Sequence, residues 1–162
     1  MNIIYFSPDV SEFLFLLFKN KVRYLIVGGE AVIYYGHARL TGDIDIFYEK
    51  ESRNIHKLYT TLQEFWNSNI PGINSKDELM KEGMVFQFGV PPNRIDLINK
   101  IEKVNFDAAW KNRKDVSLIH KRKTFKLHYI GLSQLIKNKK AVNRFRDKDD
   151  LEFLESIKSK AK

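Results

Sequence analysis

The chain of 162 residues is long enough for one domain with a substantial core and too short for two ordinary ones. Hydrophobic residues make up 43% and charged residues 30%, as in an ordinary globular protein, and the formal charge of +8 either serves solubility or favours a polyanionic partner such as RNA, DNA or a nucleoside triphosphate. The absence of cysteine excludes disulfides and thiolate metal sites and is compatible with the cytoplasm, the expected location; the apolar run 13–18 is far shorter than the roughly 20 residues of a membrane span, so no membrane association is expected.

The apolar segment 1–6 reads as an extended lead-in. Ser7, Pro8 and Asp9 then supply an N-cap, a proline at the first helical position and early negative charge, which predicts a structural helix over 8–20 that buries Phe13, Leu16 and Leu17. A continuous apolar strand over 22–27 stops at Gly28 and Gly29. Beyond them come a short helix over 30–36, a loop over 37–42 and a second strand over 43–48. Ile55, Leu58, Tyr59, Leu62 and Phe65 recur at helical spacing within a helix over 52–67.

Pro71 and Gly72 break the chain, and 75–81 is expected to form one or two helical turns. Runs 85–90 and 94–98 flank Pro91, Pro92 and Asn93 and predict a hairpin. A short helix over 106–113 follows. A second, basic hairpin pairs 116–120 with 124–130, and the chain is helical in composition from 132 onward, with an interruption near 143–146 and a frayed tail over 159–162.

The chemistry is expected on the second strand. Successive side chains of a strand point to opposite faces, so Asp43 and Asp45 project together while Ile44 and Ile46 face a core. Two carboxylates one repeat apart form an oxygen-rich claw suited to a divalent metal, and Gly28 and Gly29 let a backbone or phosphate approach closely. Taken alone, an Asp-x-Asp is more often a pair of turn residues. Asp96 adds weight, because an aspartate among Ile95, Leu97 and Ile98 either faces solvent or needs a partner such as a metal shared with Asp43 and Asp45.

Gly28, Gly29, Gly36, Arg39, Thr41, Asp43 and Asp45, with Asp96 on a later strand, resemble the nucleotidyltransferase superfamily of DNA polymerase β-like fold, in particular the small bacterial and archaeal AbiEii-like nucleotidyltransferases. The run 135–151, with Lys139, Arg144, Asp147 and Asp150, is similar to that group's ending. The resemblance implies an α+β fold with a mixed β-sheet flanked by helices and a helical C-terminal segment. It also implies a single nucleotidyltransferase domain over 1–162, in which 1–100 is the catalytic core and the basic hairpin and helices of 101–162 complete the site. Glu30 departs from the serine found after the glycine in members with a Gly-Ser start, Asn143 from a frequent glycine, and Arg146 from a lysine.

Transfer of a nucleotidyl group requires an acceptor hydroxyl in line with the α-phosphorus and neutralisation of the leaving pyrophosphate, work suited to two Mg²⁺ ions, or Mn²⁺ in their place. Asp43 and Asp45 are assigned to both ions and Asp96 to the nucleophile-side ion, with a further role as proton acceptor. Gly28, Gly29, Arg39, Thr41 and Lys139 are the expected nucleotide-binding residues, Arg39 and Lys139 by charge, although each is also readable as a solvated surface cation. Asp147 is readable as an orienter of Lys139 or Arg144 or as an N-cap.

The expected acceptor is RNA, tRNA included, or protein. Under the resemblance the enzyme is toxin-like, with an antitoxin partner, in a toxin–antitoxin or phage-defence system. Basic segments 111–126 and 137–148, interleaved with Trp110 and Phe125, would grip an RNA backbone and stack on a base. The alternatives are transfer to a lincosamide- or aminoglycoside-type antibiotic and a catalytically silent nucleotide- or RNA-binding module.

Overall fold

The computed structural model describes residues 4–161; of the expected lead-in, 1–3 lie outside them and 4–6 form neither helix nor strand. Helix α1 spans Pro8–Lys19, and the Ser7 hydroxyl accepts from the Val10 N–H as its sequence requires. Strand β1 is Tyr24–Val27, shorter than expected at its start, and helix α2, Gly28–Tyr34, takes in both glycines. Strand β2 is Asp43–Tyr48 and helix α3 is Ser52–Phe65.

A 3₁₀ turn at Lys76–Met80 leads into the hairpin of β3, Val85–Phe88, and β4, Arg94–Ile98. Helix α4, Phe106–Lys111, precedes the second hairpin of β5, Lys114–His120, and β6, Lys123–Tyr129. Helices α5, Leu132–Val142, and α6, Phe145–Lys160, end the fold. Residues 159–160 are therefore helical rather than frayed, and Lys162 lies outside the described residues.

The strands form one mixed six-stranded sheet in the order β3-β4-β2-β1-β6-β5, giving an α+β architecture. Strand β2 is antiparallel to β1 and parallel to β4, so the two strands bearing the aspartates are neighbours. Alternation does the rest. Ile44, Ile46, Ile95 and Leu97 join the core with Phe13, Leu14 and Leu17 of α1 and Ile55, Leu58 and Leu62 of α3, while the residues between them face the opposite side. No helix among the described residues is long and apolar enough to cross a membrane.

Asn143 adopts a left-handed conformation, φ 51°, which stops α5 and turns the chain sharply into α6. The Asp147 carboxylate accepts from the Arg144 N–H at 2.9 Å, closing the first turn of α6.

Candidate metal and nucleotide site

The pairing register sets Asp45 directly beside Asp96 and Asp43 beside Arg94. One oxygen from each of Asp43, Asp45 and Asp96 lies within 4.8 Å of the others. Asp96 is 5% exposed, which rules out the solvent-facing reading of its place on the strand. The three carboxylates form the floor of a cavity of about 230 Å³ whose walls include Arg39, Thr41, Lys139, Arg144 and Arg146.

Gly28 is demanded by this arrangement. Its φ of +64° suits glycine, and a Cβ placed there would stand 2.1 Å from Asp45 Oδ2. Gly29 likewise lies under Thr41, 2.8 Å from its hydroxyl oxygen by the same construction. The Thr41 hydroxyl is within hydrogen-bonding reach of Asp43 Oδ1 at 3.1 Å, so this threonine positions a carboxylate.

Arg94 was assigned no role from the sequence, yet it is the carboxylates' nearest cation. Its Nε donates to Asp96 Oδ1 at 2.9 Å and its Nη2 donates to Asp96 Oδ2 at 3.1 Å and to Asp43. Gln87 also donates to Asp96, at 3.3 Å. The signal was available: Arg94 stands two residues before Asp96, hence on the same face of the same strand.

Among the described residues none donates such a bond to Asp45. Burial pushes its carboxyl up to about 7, Asp43 and Asp96 add repulsion, and Lys139 and Arg94 offset only part of it. Burial and then the neighbouring Asp43 raise Glu30 to about 7 as well. Glu30 thus adds a further carboxyl beside the cluster.

The expected phosphate cations lie at the cavity but are not free. Lys139 is 4% exposed, and its ammonium donates to Asp147 at 2.9 Å and to Asp150 at 3.1 Å. Arg39 donates to the same buried Asp150. Asp147 does both things the sequence left open. It pairs with Lys139 and with Arg144 Nε, at 3.0 Å, and it caps α6. Burial pushes the Asp147 carboxyl up, but the bonds from Lys139 and Arg144 outweigh it and hold the group below the usual carboxylate range. Asp150, to which no role was given, is the hub joining Arg39 to Lys139. His37 pairs with Asp149 and stacks on Phe153.

Two expectations are corrected. The hairpin β5-β6 does not line the carboxylate cavity: β1 and β6 separate β5 from β2, and among the described residues of the C-terminal portion only Lys139 on α5 and Arg144 and Arg146 at the start of α6 reach the site. Nor are Trp110 and Phe125 available to stack on a base. Phe125 is 2% exposed against the core, and the Arg113 guanidinium covers the Trp110 ring at 3.9 Å from its centroid. Alternation within β6 and packing beside α4 consumed both rings.

The donor set fits a hard divalent cation. It offers only carboxylate oxygens, converging from adjacent strands in a shape that no side chain at position 28 would permit, and the repulsion at Asp45 is what such an ion would relieve. No protein-family model matches the chain, and no curated protein matches it either.

Proposed function

We propose that the protein is a Mg²⁺-dependent nucleotidyltransferase that moves an NMP group from a nucleoside triphosphate to a hydroxyl of an RNA or protein acceptor. The observation that carries this reading is the convergence of Asp43, Asp45 and Asp96 at the floor of a cavity walled by Arg39, Lys139, Arg144 and Arg146. A strand–Gly-Gly–helix unit, with a parallel neighbour supplying the third carboxylate, agrees with the resemblance to the nucleotidyltransferase fold.

In this reaction the acceptor oxygen forms a bond to the α-phosphorus, the bond from that phosphorus to the bridging oxygen breaks, and pyrophosphate leaves with the bonding electrons. Asp43 and Asp45 would hold two Mg²⁺ ions, or Mn²⁺, and Asp96 the one nearer the acceptor. Bound there, the ions supply charge neutralisation at the triphosphate and acidify the attacking hydroxyl. Thr41 fixes Asp43, and Gly28 leaves room for the Asp45 carboxylate. Asp96 is oriented by Arg94 and Gln87 and takes the acceptor proton. Arg39, held by Asp150, presents a pre-oriented guanidinium to the phosphates rather than a mobile one. The polar wall suits charged phosphates. A roomier cavity of about 720 Å³ includes Trp66, Phe88 and Ile95 and lies on the sheet's other face, so it lends no support to a drug-like acceptor. A cytoplasmic location, and a toxin-like role under an antitoxin partner, belong to the same proposal.

Incubation with each labelled NTP and Mg²⁺, together with total RNA, protein extract or an antibiotic panel, tests the proposal. Label is expected on RNA or protein and lost in Asp43→Ala and Asp45→Ala. Full labelling by either variant, or no transfer to any acceptor, would overturn it.

A further inference from the structure

The proposed reaction leaves open where the acceptor sits. Trp110 and Phe125 are packed, whereas Phe145, at the first position of α6, is 90% exposed. Its neighbours on both sides, Arg144 and Arg146, line the cavity that holds the three carboxylates. A second groove of about 410 Å³ begins where that cavity ends, sharing Arg39 and Arg146 with it, and runs past Phe145 to Lys148.

The placement is rigid. Asn143 in its left-handed conformation sets the direction of α6, and Asp147, bonded to the Arg144 N–H and to the Lys139 ammonium, clamps the first turn to α5. A ring held in solvent by a buried ion pair exposes an apolar face at no gain to the fold. Asp149, Asp150 and Glu152 also line the groove: Asp150 is already neutralised by Arg39 and Lys139, Asp149 faces His37, and Glu152 keeps its charge at the far end, four residues along α6 from Lys148.

We propose that Arg144, Phe145 and Arg146 form the acceptor subsite, on which a single-stranded RNA end stacks one base against the Phe145 ring while the two guanidiniums hold the flanking phosphates. An exposed ring has a face for any base and no hydrogen-bond code, so recognition is sequence-tolerant and the affinity comes largely from phosphates. The groove beyond Arg146 gives room for more than a mononucleotide, which favours a strand over the base of the donor NTP. This inference deepens the transferase reading by choosing RNA as the acceptor.

Fluorescence anisotropy with a short labelled single-stranded oligoribonucleotide, in chelator and without NTP, tests it on the full chain. Phe145→Leu is expected to weaken binding about tenfold and Phe145→Trp to retain it, because stacking is what the substitution changes. An abasic oligomer of equal length should bind all three proteins alike. Equal RNA binding by wild type and Phe145→Leu overturns the proposal, as does an equal loss with the abasic oligomer. A loss confined to NTP binding, measured separately with Mg²⁺, assigns the ring to the donor nucleotide and also overturns it. Because the binding assay contains neither metal nor NTP, Phe145-dependent RNA binding by a protein that transfers no label would refute the transferase reading alone. Transfer to RNA with binding indifferent to Phe145 would refute this subsite alone.

Discussion

Replacing Gly28 by alanine separates two effects that coincide at this position. The residue has φ +64°, and a Cβ there would lie 2.1 Å from Asp45 Oδ2, well inside the 3.4 Å at which ordinary contact begins. Gly72 is the matched control, with φ +74° and nothing within 4 Å of its Cβ position. Gly72→Ala should therefore cost only left-handed strain, about 1 kcal/mol, which for a chain of this size lowers Tm by about 2–4 °C. Gly28→Ala incurs the same strain plus about 1–3 kcal/mol for forcing side-chain and backbone shifts in a packed place, for a total of about 2–4 kcal/mol. It also drives the Asp45 carboxylate back by about 1 Å, a displacement large enough to cost about a hundredfold in a reaction that depends on it. Thermal unfolding gives the first quantity, and titration of free Mn²⁺ by electron paramagnetic resonance gives the second independently of turnover. Gly28→Ala should lose both stability and Mn²⁺ affinity, and Gly72→Ala only a little stability. Equal Mn²⁺ affinity in the two variants would refute the view that Gly28 exists to admit Asp45.

The guanidinium of Arg94 and a metal ion compete for the same oxygens of Asp43 and Asp96, so Arg94→Gln should bind Mn²⁺ more tightly than wild type in the absence of nucleotide; unchanged or weaker binding in the same titration would contradict that competition. Asp45 titrates near 7 in the folded chain against an ordinary 3.8, so the folded state holds the extra proton between those values. Stability in chelator should therefore fall as pH rises through about 4 to 7, more steeply in wild type than in Asp45→Asn, and saturating Mg²⁺ should flatten the slope; identical slopes in the two proteins would exclude Asp45 as the source. Lys139→Met removes the cation between two carboxylates that are 1% and 2% exposed, and should destabilise the fold by about 3–5 kcal/mol, read from urea midpoints at unchanged m-value. A loss below about 1 kcal/mol would mean that Arg39 and Arg144 alone satisfy Asp147 and Asp150.

Local rules made much of the scaffold legible. Ser7-Pro8-Asp9 starts α1 where capping chemistry requires, and Asp43–Tyr48 is the strand its alternation describes. Alternation also put Asp43 and Asp45 on one face, and the oddity of Asp96 among aliphatic residues pointed to a partnered carboxylate. What short-range pattern could not decide were choices between faces or between partners. Phe125 and Trp110 look like any aromatic residue near lysines until β6 and α4 turn them inward, and Lys139 looks like one more lysine in a run until α6 brings Asp147 and Asp150 to it.

The sequence by itself determined most of the elements and the projection of Asp43 and Asp45 from one face, because these follow from chain geometry over a few residues. Only the tertiary structure decided that β4 lies parallel beside β2, that Arg94 bridges Asp43 and Asp96, and that Arg39 and Lys139 share Asp150 across more than a hundred residues and eleven residues respectively. Those contacts depend on which strands become neighbours and on how α5 and α6 fold back on each other, and burial then fixes which charges can remain unpaired.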